Sequence, residues 1–590
     1  MKRTLFLLAI FGAASPALAQ PSQTGLAARA RHQGAVQVPA QLDPQQRAAY
    51  AAIFADLDAS NWTGAIGRLD ATPEGPLHDL VRAELYTRRG TPRVEAEPLL
   101  ALLNRAPELP QAATLAGLAT RRGATELPPV AQPQRLTGLG AQPRRQRPRA
   151  VGGEPLLDAL NAQITPLLVD DKPAEAEAIL LSRAAELSPD ARTELQQKIA
   201  WTYYREGFPR EALRMAAEPR LAQGDWAIHA EWIAGLASWQ LDDCAAAEAA
   251  FVSVARRTGD TELAAAGHYW ASRAAMRCGH AERVQPHLRR AAGEEETFYG
   301  LLAESALGIR RRPAGEAAVL TERDWSVLAR RANVRAAVAA LELGQTQLAE
   351  SLLRHQARIG PAQEHAALVR LAARLNLPAT QMYLSHNGPS GALVSRHDRY
   401  PAPDWQPEGA GWQVDQALAY AHALQESSFR PDAVSGAGAR GLMQVRPGTA
   451  GDLVRWGRTT ANPGRLNDPE TNLAFGQAYL TYLRDQSGTE ALLPRVIAAY
   501  NAGPVPIALW TAENTGRGDP LLYIESIPYW ETRGYVPIIL RNYWMYEHEQ
   551  ADRSVTRRAL AQGLWPRFPG LPGATAVRLA PNSAASGGTD

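Results

Sequence analysis

The chain has 590 residues, of which 45% are hydrophobic and 21% are charged, with 62 basic and 60 acidic side chains. This length exceeds what a single hydrophobic core organises and predicts about two to four domains. The balanced charge excludes the strong basic excess that nucleic-acid recognition requires, so no nucleic-acid partner is expected.

The first residues show the pattern of a secretory signal peptide. A charged start, Lys2 and Arg3, precedes an apolar run over residues 5–14 and the small-residue site Ala17-Leu18-Ala19. We therefore expect export, with cleavage after Ala19. The apolar run is too short to span a bilayer comfortably, and no other segment is apolar for long enough, so the sequence predicts no transmembrane span.

Across the first two thirds of the chain, apolar residues recur at the spacing of amphipathic helices. Asp43 before Pro44 is a typical helix start, with an N-cap residue and a proline at the first helical position. Hairpin-like units then repeat, with ends at Gly207, Leu241 and Gly279 that lie 34 and 38 positions apart. This period is typical of helical solenoids, in which each hairpin buries its apolar face against its neighbours.

Residues 126–155 break the helical pattern with a run rich in Pro, Gly, Gln and Arg, which predicts a long linker or an exposed loop. Its clustered arginines are Arg144, Arg145, Arg147 and Arg149. Because they stand among Pro and Gln, we interpret them as part of a solvated linker rather than as a docking patch.

The two cysteines, Cys244 and Cys278, lie in successive predicted hairpins. An exported protein allows a disulfide between them, and two buried thiols are the alternative. Since the chain has no CxxC motif and its 12 histidines are scattered, we expect neither a metal site nor a cofactor.

Composition and periodicity together place the remaining boundaries. In chain order we predict a signal peptide (1–19), a flexible segment (20–40), an α-helical superhelical domain (41–385), a linker (386–411), a compact block (412–550) and a tail (551–590) that is disordered from about residue 566.

One acidic residue in the compact block, Glu426, follows an apolar-periodic helical stretch. It lies roughly 200° around the helix from Leu424 and so points away from the apolar stripe. Residues 429–431 then end the helix, and the Gly-rich segment 436–441 allows close approach of backbone and ligand. A carboxyl group at such a helix end, under aromatic cover, is partly desolvated, which raises its pKa and suits a general acid near neutral pH.

From about Trp412 to Tyr546 the chain resembles the soluble lytic transglycosylase family, lysozyme-like enzymes that cut the glycan strands of bacterial cell walls. The motifs that carry this resemblance are, in order, Glu426-Ser427, Ser435, Gly441 to Gln444, Pro447 with Thr449 and Ala450, Asp468-Pro469 with Asn472 and Gly476, Ala499 to Gly503, and Glu525 to Val536. The preceding helical region, with Phe298 to Ala303 near its middle, resembles the ring-shaped members of the family.

The resemblance implies an all-α dominated fold, in which a helical-hairpin solenoid precedes an α-rich catalytic domain of the goose-type lysozyme fold. The insertion at 126–155 leaves open whether the solenoid closes into a ring. The implied enzyme is periplasmic and cleaves the β-1,4 bond between N-acetylmuramic acid and N-acetylglucosamine of peptidoglycan. Its product carries a 1,6-anhydro-N-acetylmuramyl end, and its role is cell-wall remodelling or turnover.

The resemblance also implies roles for individual residues, with Glu426 as general acid and base and Glu525 orienting the cleft. The implied substrate-binding residues are Ser435, Gln444, Tyr500, Asn501, Glu525 and Tyr535. Core packing is the alternative for Tyr500 and Tyr535, and backbone capping is the alternative for the Gln444 amide. Arg446 stands where members often carry Met, which leaves the preference for peptide side chains open.

A glycosidase usually uses two carboxylates, and the sequence offers no convincing partner for Glu426. Asp432 and Asp452 have no recognisable context, and Glu525 sits in a motif that the sequence does not place in space. This shortage fits a reaction in which the sugar's own C6 hydroxyl attacks C1 while one glutamate serves as acid and then as base.

Two other functions stay open at the level of sequence. A hydrolytic lysozyme would cut the same bond with water and leave a reducing end. A non-catalytic envelope scaffold would bind protein partners, whose identity the sequence does not give, through the solenoid.

Overall fold

A computed structural model describes residues 36–309, 319–513, 516–550, 554–570 and 576–577, the side chains of 548–550 and 576–577 excepted. Within these ranges the regular secondary structure is almost entirely helical, and the strands are two residues long. The predicted all-α dominated class is confirmed. The predicted signal peptide, most of the segment 20–40 and most of the tail beyond residue 570 lie outside the described residues. Among the described helices, none combines the length and apolar character that crossing a bilayer requires.

Nineteen of the described α-helices precede the compact block. They are α1 (Pro44–Asp58), α2 (Trp62–Ala71), α3 (His78–Thr87), α4 (Ala96–Arg105), α5 (Ala112–Arg121), α6 (Pro155–Val169), α7 (Pro173–Arg183), α8 (Pro189–Arg205), α9 (Pro209–Ala216), α10 (Asp225–Gln240), α11 (Cys244–Arg257), α12 (Thr261–Arg277), α13 (Ala281–Gly293), α14 (Phe298–Ala306), α15 (Glu322–Leu328), α16 (Ala332–Glu342), α17 (Thr346–Ile359), α18 (Ala362–Arg374) and α19 (Pro378–His386).

Eight further helices form the compact block and the segment after it. They are α20 (Gln416–Ser427), α21 (Pro447–Arg455), α22 (Pro469–Arg484), α23 (Leu493–Ala502), α24 (Pro504–Ala512), α25 (Pro520–Ser526), α26 (Trp530–Gln550) and α27 (Val555–Ala561). Two antiparallel strand pairs join β1 (Thr137–Gly138) to β2 (Asn387–Gly388) and β3 (Trp565–Pro566) to β4 (Ala576–Val577).

Local sequence signals set several helix starts. The Asp43 side chain accepts the backbone N–H of Gln46 at 2.7 Å, and the Gln46 side chain accepts the N–H of Asp43, which completes a capping box before α1. The Asp468 side chain likewise accepts the N–H of Thr471 at 2.9 Å at the start of α22. The helix start predicted at Asp43 is confirmed.

The buried apolar residues fall into two clusters. The first core joins helices α6 to α14 to the compact block, with residues mainly from 157–303 and 414–568. The second core joins α1–α5 to α15–α19, with residues from 42–119 and 320–384. The two ends of the superhelical region therefore pack on each other, while its middle packs on the compact block.

The segment predicted as a long linker or an exposed loop is irregular and mostly exposed, but its backbone bonds to neighbouring elements, and we call residues 130–151 the strap. Its backbone pairs with the second-core helices, since the N–H of Gln134 donates to Arg358 O at 2.8 Å and β1 pairs with β2. Further along, the Arg541 guanidinium donates to the Pro143 carbonyl and Trp226 Nε1–H donates to the Arg149 carbonyl at 2.8 Å.

The interpretation of the arginine cluster as solvated was wrong for the Arg145 side chain, which is 15% exposed. The side chains of Arg144, Arg147 and Arg149 are exposed, as predicted, although the strap backbone is bonded to its neighbours. The physical reason is that a chain without regular structure must find partners for its backbone polar groups, and here it finds them on three packed surfaces.

Cys244 and Cys278 form a disulfide, with their Cα atoms 5.7 Å apart. Cys244 is the first residue of α11, and Cys278 directly follows α12. The bridge therefore ties the start of one helix to the end of the next within the first core. Of the two alternatives that the sequence left open, the disulfide is confirmed.

Candidate active site

The end of α20 places Glu426 at the edge of the first core. The preceding turns of this helix are buried, whereas Glu426 is partly exposed. Ser428 and Phe429 then adopt left-handed backbone conformations, with φ of 53° and 61°, which side-chain-bearing residues seldom adopt. Phe429 is fully buried, and the Ser427 hydroxyl donates to the Leu442 carbonyl at 2.8 Å. These contacts fix the helix end and with it the Glu426 carboxyl.

The Glu426 carboxyl has one direct hydrogen bond from a neighbouring side chain, because the Tyr535 hydroxyl of α26 donates to its Oε1 at 2.6 Å. Desolvation raises the pKa of Glu426 to about 7. The Tyr535 hydrogen bond opposes this increase, and the negative charge of Glu531 adds to it. A carboxyl with such a pKa exchanges protons readily at neutral pH and can serve both as an acid and as a base.

Neutral aromatic side chains surround this carboxyl. The fully buried His422, one turn earlier in α20, lies between Tyr500 and Tyr535, with ring centroids 4.7 and 6.1 Å away. Its Nδ1 bonds to the Leu418 carbonyl at 2.9 Å, and burial lowers its pKa to about 4. His422 is therefore uncharged at neutral pH and does not offset the charge of Glu426.

The loop after α20 presents Gln444 and Ser435. The Gln444 backbone is left-handed, with φ of 49°, and its Nε2 donates to the Gly441 and Ala433 carbonyls at 2.9 and 3.2 Å. The backbone-capping contact considered for this amide is thus present. The exposed Ser435 uses its Oγ to accept the N–H of Ala439 at 3.0 Å.

Two residues from neighbouring helices support the same loop. Asn472 in α22 accepts the N–H of Met443 at 2.8 Å and donates to the Arg440 carbonyl of this loop and to the Leu466 carbonyl of the segment before α22. The Tyr500 hydroxyl of α23 donates to the Met443 carbonyl at 2.8 Å. Gly441 has φ of 73°, and a Cβ there would approach the Leu466 carbonyl oxygen to 2.2 Å, so no other residue fits without backbone movement.

Asn501 contacts a carboxylate that the sequence prediction did not include among the site residues. Its Nδ2 donates to Glu531 Oε1 at 3.1 Å, and its Oδ1 accepts the Thr532 hydroxyl at 2.6 Å. Glu531 is exposed in the first turn of α26 and close enough to Glu426 to raise its pKa. The available signal was its position in the Glu-Thr-Arg part of the quoted motif, four residues before Tyr535.

Glu525 lies in a different environment from the other predicted site residues. It is 1% exposed at the end of α25, where it accepts hydrogen bonds from Nη1 and Nη2 of Arg145, at 2.6 and 3.0 Å, and from the Tyr299 hydroxyl at 2.7 Å. These partners belong to the strap and to α14. The structure thus brings Tyr535 directly onto Glu426, groups Gln444, Ser435, Tyr500 and Asn501 around the adjoining loop and helices, and places Glu525 at the contact with the superhelical region.

Comparison with known proteins matches the same region. Residues 404–522 match the family model described as the transglycosylase SLT domain. The chain is 39% identical over 156 residues to the soluble lytic murein transglycosylase of Escherichia coli (strain K12), covering 26% of this chain and 24% of that protein. It is 41% identical over 140 residues to the protein of the same name from Salmonella typhimurium, covering 23% and 21%. The matched region spans about a quarter of the length of these curated relatives.

The likeness of fold extends over most of the chain. An inactive mutant of the lytic transglycosylase Slt from Pseudomonas aeruginosa has a TM-score of 0.52 and 20% sequence identity, and the match covers 87% of this chain and 83% of that one. At this identity the likeness shows the fold alone. The chain carries a transglycosylase SLT domain over residues 404–522, which confirms the predicted resemblance to the soluble lytic transglycosylase family.

Proposed function

We propose that this chain is a peptidoglycan lytic transglycosylase. It cleaves the β-1,4 bond between N-acetylmuramic acid and N-acetylglucosamine and leaves a 1,6-anhydro-N-acetylmuramyl end. The observation that carries the proposal is Glu426, a partly exposed carboxyl with a pKa raised to about 7 and a short hydrogen bond from Tyr535. The SLT domain match over residues 404–522, which include Glu426, supports this assignment.

In the first step the protonated Glu426 donates its proton to the glycosidic oxygen. The bond between this oxygen and C1 of the muramyl sugar breaks, the electron pair leaves with the oxygen, and positive charge develops at C1. The Tyr535 hydroxyl donates to the Glu426 carboxylate that forms, which stabilises its negative charge.

In the second step the Glu426 carboxylate takes the proton of the C6 hydroxyl of the same sugar. The C6 oxygen attacks C1 and closes the 1,6-anhydro ring, so Glu426 is protonated again and no water is consumed. The nucleophile belongs to the substrate, so the protein needs only to position it, and positioning can supply a large share of the barrier reduction.

The residues around Glu426 have roles in this proposal that follow from their contacts. Gln444 and Tyr500 hold the loop that forms one wall of the proposed cleft. The hydrogen-bonding atoms that they do not use to hold the loop would bind the sugars. Asn501 orients Glu531, and Ser435 lies on the exposed side of the loop, where it can contact N-acetyl groups. The exposed Arg446 adds a positive charge that can attract the carboxylates of peptide side chains.

Hydrolysis of the same bond is the second candidate, and Glu531 is the observation that favours it. An exposed carboxylate close enough to raise the pKa of Glu426 can in principle activate a water molecule. We favour the intramolecular reaction because Glu531 is held by Asn501 and because the matched domain is that of transglycosylases. A non-catalytic scaffold is not favoured, since the acid and the loop around it are both intact.

Digestion of isolated peptidoglycan followed by mass analysis of the released muropeptides separates these candidates. We expect products lighter by one water than hydrolysed ones, and the same products at a changed rate from Glu531→Gln. A product pool dominated by the heavier species, which disappears in Glu531→Gln, would assign the chain as a lysozyme.

The proposal also covers the cellular compartment in which the chain acts and the role of each predicted domain. We propose export through the signal peptide at residues 1–19 and action in the periplasm, in cell-wall remodelling or turnover. The superhelical domain predicted at 41–385 shapes access to the catalytic block at 412–550, with the linker 386–411 between them. Fractionation of cells that express the chain, with mass determination of its N-terminus, tests the export and the cleavage after Ala19.

A further inference from the structure

The end of α25 is bonded to the superhelical region by two consecutive residues. Glu525 accepts hydrogen bonds from Nη1 and Nη2 of Arg145, at 2.6 and 3.0 Å, and from the Tyr299 hydroxyl at 2.7 Å. The next residue, Ser526, shares a 2.9 Å hydrogen bond with the Tyr204 hydroxyl of α8. The fully buried Tyr299 is itself bonded by Trp270 Nε1–H at 2.9 Å. This point of the catalytic block therefore meets the strap, α8 and α14 together.

Arg145 occupies a site shaped for its guanidinium group. One of its planar faces lies over the Trp232 ring, with the guanidinium carbon 4.9 Å from the ring centroid, while its two N–H groups engage Glu525 in a fork. Paired, planar recognition of this kind is stronger and more directional than a single contact. Burial opposes the charge of Arg145, and Glu525 outweighs that effect and holds its pKa above the usual value.

The same contact lies next to the helix that faces Glu426. Three residues separate Ser526 from the start of α26 at Trp530, so a displacement of α25 is transmitted directly to the first turns of α26. Arg533 in these turns is stacked on Trp201 of α8, with the guanidinium carbon 3.8 Å from the ring centroid. Tyr535 follows two positions later, roughly 200° around the helix, and bonds to Glu426.

We infer that Arg145 is a positioning residue for the candidate catalytic site. By fixing Glu525 at the end of α25, Arg145 holds the first turns of α26 in place on the side away from Glu426. Tyr535 and Glu531 on the same helix therefore stay directed towards Glu426. A residue of the strap, outside the matched SLT domain, thereby sets the geometry of the acid. The inference about catalysis rests on the proposed function, whereas the inference that Arg145 holds α26 does not.

The first arm of the test needs no activity. Hydrogen exchange of the α26 backbone is compared among the full-length wild type, Arg145→Ala, Glu525→Gln and the control Arg147→Ala, whose exposed side chain stands two positions further along the strap. We expect exchange near Trp530 to Tyr535 to accelerate at least about tenfold in the first two variants, because removing one partner of a buried ion pair leaves the other charge uncompensated. The control should match the wild type.

The second arm measures the pH profile of peptidoglycan cleavage. The groups that face Glu426 are Tyr535 and Glu531 from α26, Tyr500 from α23 and the neutral His422 on α20. The Tyr535 hydrogen bond lowers the pKa of Glu426, and the charge of Glu531 on the same helix raises it by a smaller amount. Loosening α26 weakens both effects, so the pKa should rise and the decline of activity should move to higher pH. We expect kcat about tenfold lower at unchanged KM. A general loss of stability would reduce the fraction of active enzyme without changing the pH at which activity declines.

The inference would be overturned if hydrogen exchange in α26 were unchanged in both variants. It would also be overturned if the cleavage rate fell while the pH at which activity declines stayed the same. If Arg145→Ala does not fold, Glu525→Gln, which preserves side-chain shape, decides both arms. If the wild type cleaves no peptidoglycan, the proposed function fails, and the exchange arm still decides whether Arg145 holds α26.

Discussion

The two hydrophobic cores differ in the parts of the chain that they bring together. The second core joins the beginning and the end of the superhelical region, and the Arg47 guanidinium meets Glu342 across it at 2.7 Å. The first core joins the middle of that region to the catalytic block, where the ring of Phe298 stacks on Trp544 with centroids 5.2 Å apart. The helix that directly precedes the block in sequence, α19, is divided between the cores, with Met382 in the first and Leu384 in the second. Position along the chain is therefore a poor guide to which helices support the candidate site.

The largest expected effect is a loss of catalysis that leaves both hydrophobic cores intact. Glu426→Gln should reduce peptidoglycan cleavage by at least about 10³–10⁴-fold, because one group performs both proton transfers and acid–base catalysis alone contributes about 10²–10⁴-fold. Circular dichroism should show an unchanged helix content. The control is Asp432→Asn, an exposed carboxyl six positions later that should retain activity. Substantial turnover by the Gln variant would contradict the assignment of Glu426.

A matched pair of substitutions tests whether the first core supports activity and the second core does not. Leu302 in α14 and Leu353 in α17 are both fully buried, one in each core. Each Leu→Ala change should cost about 2–5 kcal/mol of stability in its own core. Well below the unfolding temperature, only Leu302→Ala should lower activity. Equal loss of activity in both variants would mean that the cores are not functionally distinct.

The disulfide should stabilise the first core specifically. It closes a loop with a sequence separation of 34, for which loop entropy predicts about 3–4 kcal/mol. Replacing both Cys244 and Cys278 by Ser should lower the free energy of unfolding by that amount, and a reductant should lower the unfolding midpoint of the wild type but not of the variant. Equal midpoints with and without reductant in the wild type would contradict this prediction.

Tyr535→Phe should have a smaller effect on rate and a diagnostic effect on pH dependence. Loss of one hydrogen bond to a charged group corresponds to about 1.5–3 kcal/mol, or roughly a 10- to 100-fold lower rate. Since this bond lowers the pKa of Glu426, its loss raises that pKa and moves the decline of activity to higher pH. A lower rate with no change in the pH at which activity declines would indicate that Tyr535 acts by packing alone.

The last prediction concerns how the stability of the folded chain depends on pH. The pKa of Glu426 is raised from 4.5 to about 7 in the folded chain, so its contribution to stability is complete below about pH 4.5 and is lost as pH rises to about 7. Glu426→Gln should therefore raise the unfolding midpoint relative to wild type at pH 8 and leave it unchanged at pH 4. A stabilisation that is equal at both values would exclude titration of Glu426 as its cause.

The sequence predicts best what is local. The N-cap at Asp43 and the helix end at Glu426 follow from residues within one or two turns, and the structure contains both. The raised pKa of Glu426 also follows from its position after a buried helix. The strap and Glu525 were not predictable in this way, because Arg145 and Glu525 are 380 positions apart and their contact leaves no periodic trace. Glu531 was visible only as part of a motif, and its closeness to Glu426 depends on how α26 packs against α20.

The shared first core has a practical consequence for anyone who cuts this chain into parts. A recombinant fragment that begins at residue 404 would include the whole matched SLT domain and lack α6 to α14. Trp544 would lose its stacking partner and become solvent-exposed together with neighbouring apolar side chains, and Glu525 would lose Arg145 and Tyr299. An exposed apolar patch of this kind promotes aggregation. The catalytic block should therefore express poorly by itself and recover solubility when it is co-produced with residues 126–309.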